Sequence, residues 1–543
     1  MSDPAAPAAP APAAPARRRR RSAAAAAPAA AAGPQVFVRL YRARLDPDAY
    51  QGMLGDCYLI RIVDGPRRST ILIDCGMLLG SPDADARMAA IADDIVAQTG
   101  GTLDLLVVTH EHWDHISGFS QAQHVFLDPA RLRIANLWMA WTEDPADAQA
   151  KALRARFDKT GTALAALAMR IASDRAAKAD SPFAAAPAAA IEGLENFLGP
   201  VQDDGQGDPA ALGAAATKRL TGRAILEGLK GAAQHVRYLE PGIVTETPGA
   251  APLRAYVFGP PRDERRLFKD LPRKGDEDTL YHDVAAFNTS LLIDVAAGKA
   301  PNLADDSPFS GRYTNISAAD VKAAPDSDLA GDATLAWLRA RYFDDHAPCR
   351  FGALPPPGHV CAKDLVCGSD QRRRRIDGDW LAAAGPLAMK LDSDTNNTSL
   401  VLAFELPDRT IMLFAADAQV GNWESWHDQD YVADGIAHKA ADLLARTRFY
   451  KVGHHGSHNA TLTSQGLELM TRPDLIAAIS TDYELGTRQG SKGWQMPNRD
   501  VEAALEKRTA GRVIRADRDN AANPALAPQL QETGLFIELR VFG

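Results

Sequence analysis

Short apolar runs separated by turn residues dominate both ends of this chain, and Ala-rich stretches fill its middle. From Gln35 the runs Val36 to Leu45, Asp56 to Val63 and Thr70 to Asp74 have the length and β-branched content of strands, and Asp64-Gly65-Pro66 joins the last two as a hairpin. Met88, Ile91, Ile95 and Val96 recur at helical spacing and predict a helix over Asp83 to Gln98. Gly100-Gly101 then leads into Leu103-Asp104-Leu105-Leu106-Val107-Val108, a short continuous apolar run of the kind that a strand covered on both faces requires.

The pattern changes between about residues 125 and 390. Ala146 to Ala177, Pro187 to Leu198 and Ala211 to Gln234 have helical propensity and predict an inserted helical region. Val236 to Leu239 and Leu253 to Phe258 return to the sheet, and a second, polar and irregular insertion follows from about 262 to 390. The strand pattern then resumes. Ser399 to Leu406 and Thr410 to Ala415 pair across Pro407-Asp408, Ile436 to Leu444 reads as a helix, and Arg448 to Val452 and Leu475 to Ser480 read as strands. Asp500 to Lys507 reads as a helix, and Leu535 to Val541 closes the chain as a strand.

The expected organisation is a disordered tail over residues 1–34 and one α/β domain over 35–543. Its core covers about 35–125, 236–261 and 390–543, with insertions at 126–235 and 262–390. The tail is almost entirely Ala and Pro around Arg17 to Arg21, a composition that buries too little apolar surface to offset its ordering entropy. The Ala24 to Ala32 segment lacks the Leu, Phe or Val of an export signal, so a solvated charge run is the plainer account of the arginines. Arg372 to Arg375 form a second such run, read as a solvated loop.

Bulk composition narrows the class without naming a function. Hydrophobic content of 46% and charged content of 24% are those of a soluble globular protein. A net charge of −9 exerts no global pull toward nucleic acid. No run approaches the roughly 18 apolar residues of a membrane span. Five scattered cysteines, Cys57, Cys75, Cys349, Cys361 and Cys367, argue for a reducing, cytoplasmic setting rather than a disulfide framework. The last three accompany His346 and His359 without a Cys-x-x-Cys knuckle, which disfavours a structural zinc.

The candidate chemistry lies at the end of the Leu103 to Val108 run, where His110, His112, Asp114 and His115 place four metal-type ligands within six residues. Four such side chains suit a pair of ions better than one, and a site without thiolates keeps exchangeable positions for reaction. Two later strands end the same way. Thr410 to Ala416 delivers Asp417, whose two oxygens can bridge two cations, and Phe449 to Val452 delivers Gly453-His454-His455-Gly456-Ser457. Asp74 likewise follows the apolar strand Ile71-Leu72-Ile73.

The pattern His-x-His-x-Asp-His after a strand resembles the signature of the metallo-β-lactamase superfamily. Asn396-Asn397-Thr398-Ser399-Leu400-Val401-Leu402, the strand ending at Asp417, and Lys451 to Ser457 look like the soluble hydrolase domain of ComEC-type DNA-uptake proteins. The resemblance covers about residues 35–125 and 390–543 and implies a four-layer αββα sandwich with two divalent ions, zinc or manganese, at one edge. By that resemblance His110, His112 and Asp417 hold the first ion, and Asp114, His115, Asp417 and one of the paired histidines hold the second. His454, directly after the strand and glycine, is the favoured ligand. Asp74 supports the metal loop by hydrogen bonds, and Asn396, Asn397 or Thr398 stands where many superfamily hydrolases carry a further histidine.

The expected activity is metal-dependent hydrolysis through a water activated by both ions, with Asp114, His455 and Lys451 as catalytic residues and Ser457 and His458 beside them at the mouth. The expected substrate is a phosphodiester, including single-stranded nucleic acid, since the ComEC-like branch implies a nuclease. Hydrolysis of an ester, thioester or lactone by the same fold is the first alternative. A non-catalytic module whose helical insertion binds a partner is the second.

Overall fold

The computed structural model describes residues 33–42, 52–158, 160, 222–269, 321, 323–342, 384–489 and 493–543. Nearly all of the expected tail, most of both insertions, the cysteines at 349, 361 and 367 with His346 and His359, and both arginine runs lie outside these residues.

The strands in chain order are β1 (Gln35–Tyr41), β2 (Tyr58–Asp64), β3 (Arg67–Ile73), β4 (Thr102–Leu103), β5 (Leu105–Val107), β6 (Arg133–Ile134), β7 (Asn136–Ala140), β8 (His235–Leu239), β9 (Val244–Glu246) and β10 (Arg254–Gly259). They continue with β11 (Val401–Glu405), β12 (Ile411–Phe414), β13 (Tyr431–Ala433), β14 (Ile436–His438), β15 (Thr447–Lys451), β16 (Ile476–Ile479), β17 (Val513–Arg515), β18 (Leu530–Glu532) and β19 (Phe536–Phe542). Eight form one sheet in the order β18-β19-β1-β2-β3-β5-β7-β8, and seven form a second in the order β17-β16-β15-β12-β11-β10-β9. Both sheets are mixed: β3, β5, β7 and β8 run parallel, as do β12, β15, β16 and β17, while the remaining pairs are antiparallel.

The two sheets pack face to face because alternate residues of each are apolar. Val38, Ile60, Ile71 and Val107 from the first meet Val257, Leu402, Met412 and Phe449 from the second in one buried cluster. The opposite face of the first sheet is covered by the helices Ala84–Thr99, Trp113–Gln121 and Gly222–Ala232, through Met88, Ile91, Phe119 and Leu226. The outer face of the second is covered by Val420–Trp426, Ala440–Ala445 and Arg499–Thr509, through Trp423, Leu443 and Leu505. Ala84–Thr99 and Arg499–Thr509 bury an apolar stripe and leave a polar side to solvent, whereas Trp113–Gln121 and Val420–Trp426 are buried nearly all round.

Several elements differ from the expected pattern. The run at 103–108 is split, since Leu103 belongs to β4, paired with β6, and Leu105 begins β5. Asp104 makes the break, its carboxylate accepting from Thr70 N at 2.9 Å and from Thr70 Oγ1 at 3.0 Å. Residues 133–140, expected within the first insertion, form β6 and β7, and β7 sits inside the large sheet between β5 and β8. The insertion therefore begins later in the chain than its composition indicated. Val236 to Leu239 and Leu253 to Phe258 return to different sheets, as β8 and β10. Ile436 to Leu444 is not one helix: β14 takes 436–438 in a ribbon with β13, and the helix starts at Ala440.

Candidate metal centre

The parallel strands end together, so the loops that leave β3, β5, β12 and β15 meet at one edge of the sandwich. The backbone at these ends is forced into the left-handed region at Asp74 (φ 55°), Ala416 (φ 48°), His454 (φ 44°) and His455 (φ 51°). Non-glycine residues hold that conformation at a cost of order 1–3 kcal/mol each, and such strain gathers where surrounding contacts aim side chains at a functional site.

Only half of the His110 to His115 cluster lies on the loop. His110 and His112 are on the extended segment after β5, whereas Asp114 and His115 occupy the first turn of the helix Trp113–Gln121, with His112 at its N-cap. His115 N donates to His112 O at 3.0 Å, which turns the helical pair back toward the loop pair. Gly76 packs against this turn so closely that a Cβ there would stand 2.5 Å from the Asp114 carbonyl and 2.6 Å from the His115 carbonyl carbon. The bonds Cys75 N to His115 O (2.8 Å) and Asp56 N to Asp114 O (3.0 Å) lock it further.

His110, His112, Asp114, His115, Asp417, His454 and His455 are all buried, none more than 4% exposed. All but His454 fall into two ligand groups that share one residue. His110, His112 and Asp417 form the first, and Asp114, His115, Asp417 and His455 form the second, with the ligand atoms of each group within 4.8 Å of one another. In the second group His115 Nε2 is 3.2 Å from Asp417 Oδ2 and 3.8 Å from Asp114 Oδ2, while His455 Nε2 is 2.8 Å from Asp114 Oδ2.

The rings are held from behind. His115 Nδ1 is 2.8 Å from Asp74 Oδ2, and Asp74 also accepts from Thr109 N (2.8 Å) and Thr109 Oγ1 (2.6 Å). Thr109 Oγ1 in turn lies 3.1 Å from His110 Nδ1, and Ser480 O lies 2.7 Å from His455 Nδ1. Each contact engages Nδ1 and leaves Nε2 facing the site, the arrangement that metal-binding imidazoles use to fix tautomer and orientation.

His110 Nε2, Asp114 Oδ1 and Asp417 Oδ1 make no hydrogen bond among the described residues, although they are buried. Buried polar atoms in that condition are costly, and shared cations are what this donor set fits. Burial holds His110 well below its ordinary pKa and lowers His112 and His454 to about 4, so these imidazoles are neutral near pH 7, as ligands must be. For His115 burial works in the same direction, but Asp417, Asp114, Asp56 and Asp74 outweigh it and raise its pKa well above the ordinary value.

The paired histidines occupy places other than those expected. His455, not His454, stands in the ligand group with Asp114 and His115, because the left-handed backbone at both residues swings the second ring inward. His454 Nε2 approaches Asp417 Oδ2 at 3.9 Å.

Lys451 does not line a mouth. It is buried beneath the site, ion-paired with Asp56, donating to Ala416 O at 3.0 Å and standing 3.5 Å from Asp417 Oδ1. A side chain so enclosed is placed to position Asp417. Asn397 accepts from Gln419 N at 3.0 Å and donates to Lys269 O at 2.9 Å, so it ties the loop after Asp417 to a neighbouring helix end. Ser457 is buried and donates to Asn459 Oδ1 at 3.0 Å, while His458 is exposed.

Two acidic residues at the site escaped the sequence reading. Asp56 forms a group with Asp74 and His115, and Asp392 lies 3.8 Å from His112 Nε2. Asp56 offered one sequence signal, a carboxylate opening an apolar strand, and Asp392 offered none.

A cavity of about 720 Å³ opens beside the paired-histidine turn, between the 458–468 segment and the helix Arg499–Thr509. His458, Thr461, Asn498, Lys507 and Arg508 line it, with Glu468 and Asp500 among the acidic residues on its wall.

A family model described as the metallo-beta-lactamase superfamily matches residues 51–170. No curated protein matches the chain. The chain thus carries a metallo-β-lactamase superfamily domain, with two mixed sheets and a buried His/Asp cluster suited to divalent metal. Among the described residues no helix is long and apolar enough to cross a membrane.

Proposed function

We propose that this protein is a two-ion metallohydrolase acting on a phosphodiester. The observation that carries the two-ion reading is Asp417, whose carboxylate belongs to both ligand groups and is the natural bridge between two cations. When bound, such ions supply an activated water and positive charge against the oxygens on which charge develops.

The chain's own residues provide the rest. His110 and His112 with Asp417 would hold one ion, and Asp114, His115, Asp417 and His455 would hold the other. Asp74 fixes the His115 ring, and Thr109 couples it to His110, so the two groups are aligned before substrate arrives. Lys451 and Asp56 form a buried pair that steadies Asp417 from below. Complete burial of the cluster keeps the effective dielectric low, which strengthens each electrostatic contact.

Lys507, Arg508 and the Thr461 hydroxyl on the cavity beyond the paired-histidine turn, set against Glu468 and Asp500 on the same wall, support a phosphate-bearing substrate over a carboxylic ester. The similarity of Asn396 to Leu402 and Lys451 to Ser457 to the ComEC-type hydrolase domain supports the same class and includes single-stranded nucleic acid within it. Zinc and manganese both fit the imidazole and carboxylate set.

Metal content and hydrolysis of bis-p-nitrophenyl phosphate, with p-nitrophenyl acetate alongside, test the proposal on the wild type and on the Asp114→Ala, His115→Ala double variant. The expected result is two ions per chain and phosphodiester cleavage that the double variant loses. Cleavage of the acetate alone moves the substrate to the ester class. Activity unchanged in the double variant removes the site from the reaction.

A further inference from the structure

We propose that Asp392 is a ligand of the first ion, which is then held by two imidazoles and two carboxylates rather than by His110, His112 and Asp417 alone. The inference rests on the two-ion reading above and adds a residue that the sequence motifs do not contain.

The helix Ala384–Asn396 runs into the site with Asp392 and Asn396 one turn apart on the same face. Asp392 is 5% exposed, and its two oxygens are treated differently. Oδ2 faces Asn396 Nδ2, which donates to it at 3.3 Å. Oδ1 accepts no hydrogen bond among the described residues and lies 3.8 Å from His112 Nε2. Asp394, two residues further and therefore off that face, is paired with Lys390 at 2.7 Å and with Arg156 at 3.6 Å. No Lys or Arg among the described residues pairs with Asp392. The same helix turn thus carries one carboxylate neutralised by protein cations and one left facing the ligand cluster.

A buried carboxyl group with an unpartnered oxygen aimed at other ligand atoms is unfavourable unless a cation joins them. Asp114 and Asp417, also nearby, are of like sign and make the cost larger. A metal ion between His112 and Asp392 removes it. Ligand atoms about 2.0–2.2 Å from a common ion stand roughly 3–4 Å apart at tetrahedral to five-coordinate angles. The separation of 3.8 Å from His112 lies in that range and equals that of His115 Nε2 and Asp114 Oδ2 in the second group, while Asp392 stands outside the 4.8 Å grouping of His110, His112 and Asp417, so its carboxylate would turn toward the ion on binding. A second carboxylate makes the first ion's surroundings harder, which favours manganese over zinc more than an imidazole there would.

The test uses the full chain freed of metal by a chelator, titrated calorimetrically with Mn²⁺ and with Zn²⁺, and counted for bound metal. Wild type is expected to take two ions. Asp392→Asn, nearly the same shape, is expected to keep one ion at wild-type affinity and to weaken the other on the order of a hundredfold or more, beyond the roughly 10–100-fold that loss of an outer partner costs. Asp392→His is expected to recover zinc more than manganese. The metal-free Asp392→Asn protein should melt no lower than metal-free wild type, since the substitution keeps the side chain's shape and leaves no protein cation without its partner. Two ions at wild-type affinity in Asp392→Asn would overturn the inference and leave the two-ion reading intact. So would equal weakening of both ions with no recovery in Asp392→His. Wild type that takes fewer than two ions overturns both.

Discussion

The Nδ1 nitrogen of His455 stands 2.7 Å from the carbonyl oxygen of Ser480, the residue that follows β16. That bond commits Nε2 to the side of Asp114 and selects His455 over its neighbour for the second ligand group. His455→Ala is expected to lower bound metal by one ion per chain. His454→Ala should leave the second group complete, and elemental analysis after dialysis distinguishes the two variants.

Asp74 holds His115 through one oxygen and the Thr109 backbone through the other. Asp74→Asn replaces one acceptor by a donor facing donors. Metal affinity should fall about 10–100-fold, read by competition with a chromogenic chelator. Unchanged affinity would remove Asp74 from the support of the site.

Gly76 leaves no room for a side chain, because a Cβ would press on the carbonyls of Asp114 and His115 within 2.6 Å. Backbone on both sides cannot yield. Gly76→Ala should therefore lower the melting temperature and scatter the ligand turn, with a loss of metal binding larger than an Ala substitution at exposed Gly80 produces.

Lys451 and Asp56 form a buried ion pair, and losing one partner leaves the other uncompensated. Lys451→Met alone is expected to cost about 3–5 kcal/mol in metal-free stability. Combining it with Asp56→Asn should recover much of that loss. Denaturant midpoints of the two single variants and the double variant measure the coupling, and strictly additive costs would sever the pair.

The metal-free protein should be acid-sensitive. Burial holds His112 and His454 at about 4, below the ordinary imidazole value near 6.5. A depressed folded pKa means that the unfolded chain binds protons first. The stability is then full above about pH 6.5 and is lost as pH falls through about 4. His115 and His455 are raised and act oppositely, losing their contribution as pH rises. His454→Gln should flatten the acid limb by at most on the order of 3 kcal/mol, checked by urea unfolding at pH 7 and pH 4.5. Identical acid limbs would show that His454 titrates normally.

The sequence by itself determined the strands and the donors at their ends. β2, β3, β12, β15 and β19 are short apolar runs bounded by turn residues, and the residues just past such runs, His110 to His115, Asp417 and the paired histidines, are local features of the chain. Periodicity reports local burial, so it recovers these well. Only the tertiary structure decided what depends on distant contacts. β7 is core because β5 and β8 flank it, and β8 and β10 part into different sheets because their partners differ. The rings of His454 and His455 diverge because left-handed backbone follows β15 and Ser480 lies behind. Lys451 is buried because Asp56, almost 400 residues earlier, meets it. Asp392 reaches the cluster because its helix ends against the loop where Leu400 N donates to Thr109 O at 2.9 Å. None of these leaves a periodic trace, since each is a relation between residues far apart in sequence whose side-chain directions are set only when the two sheets close on one another.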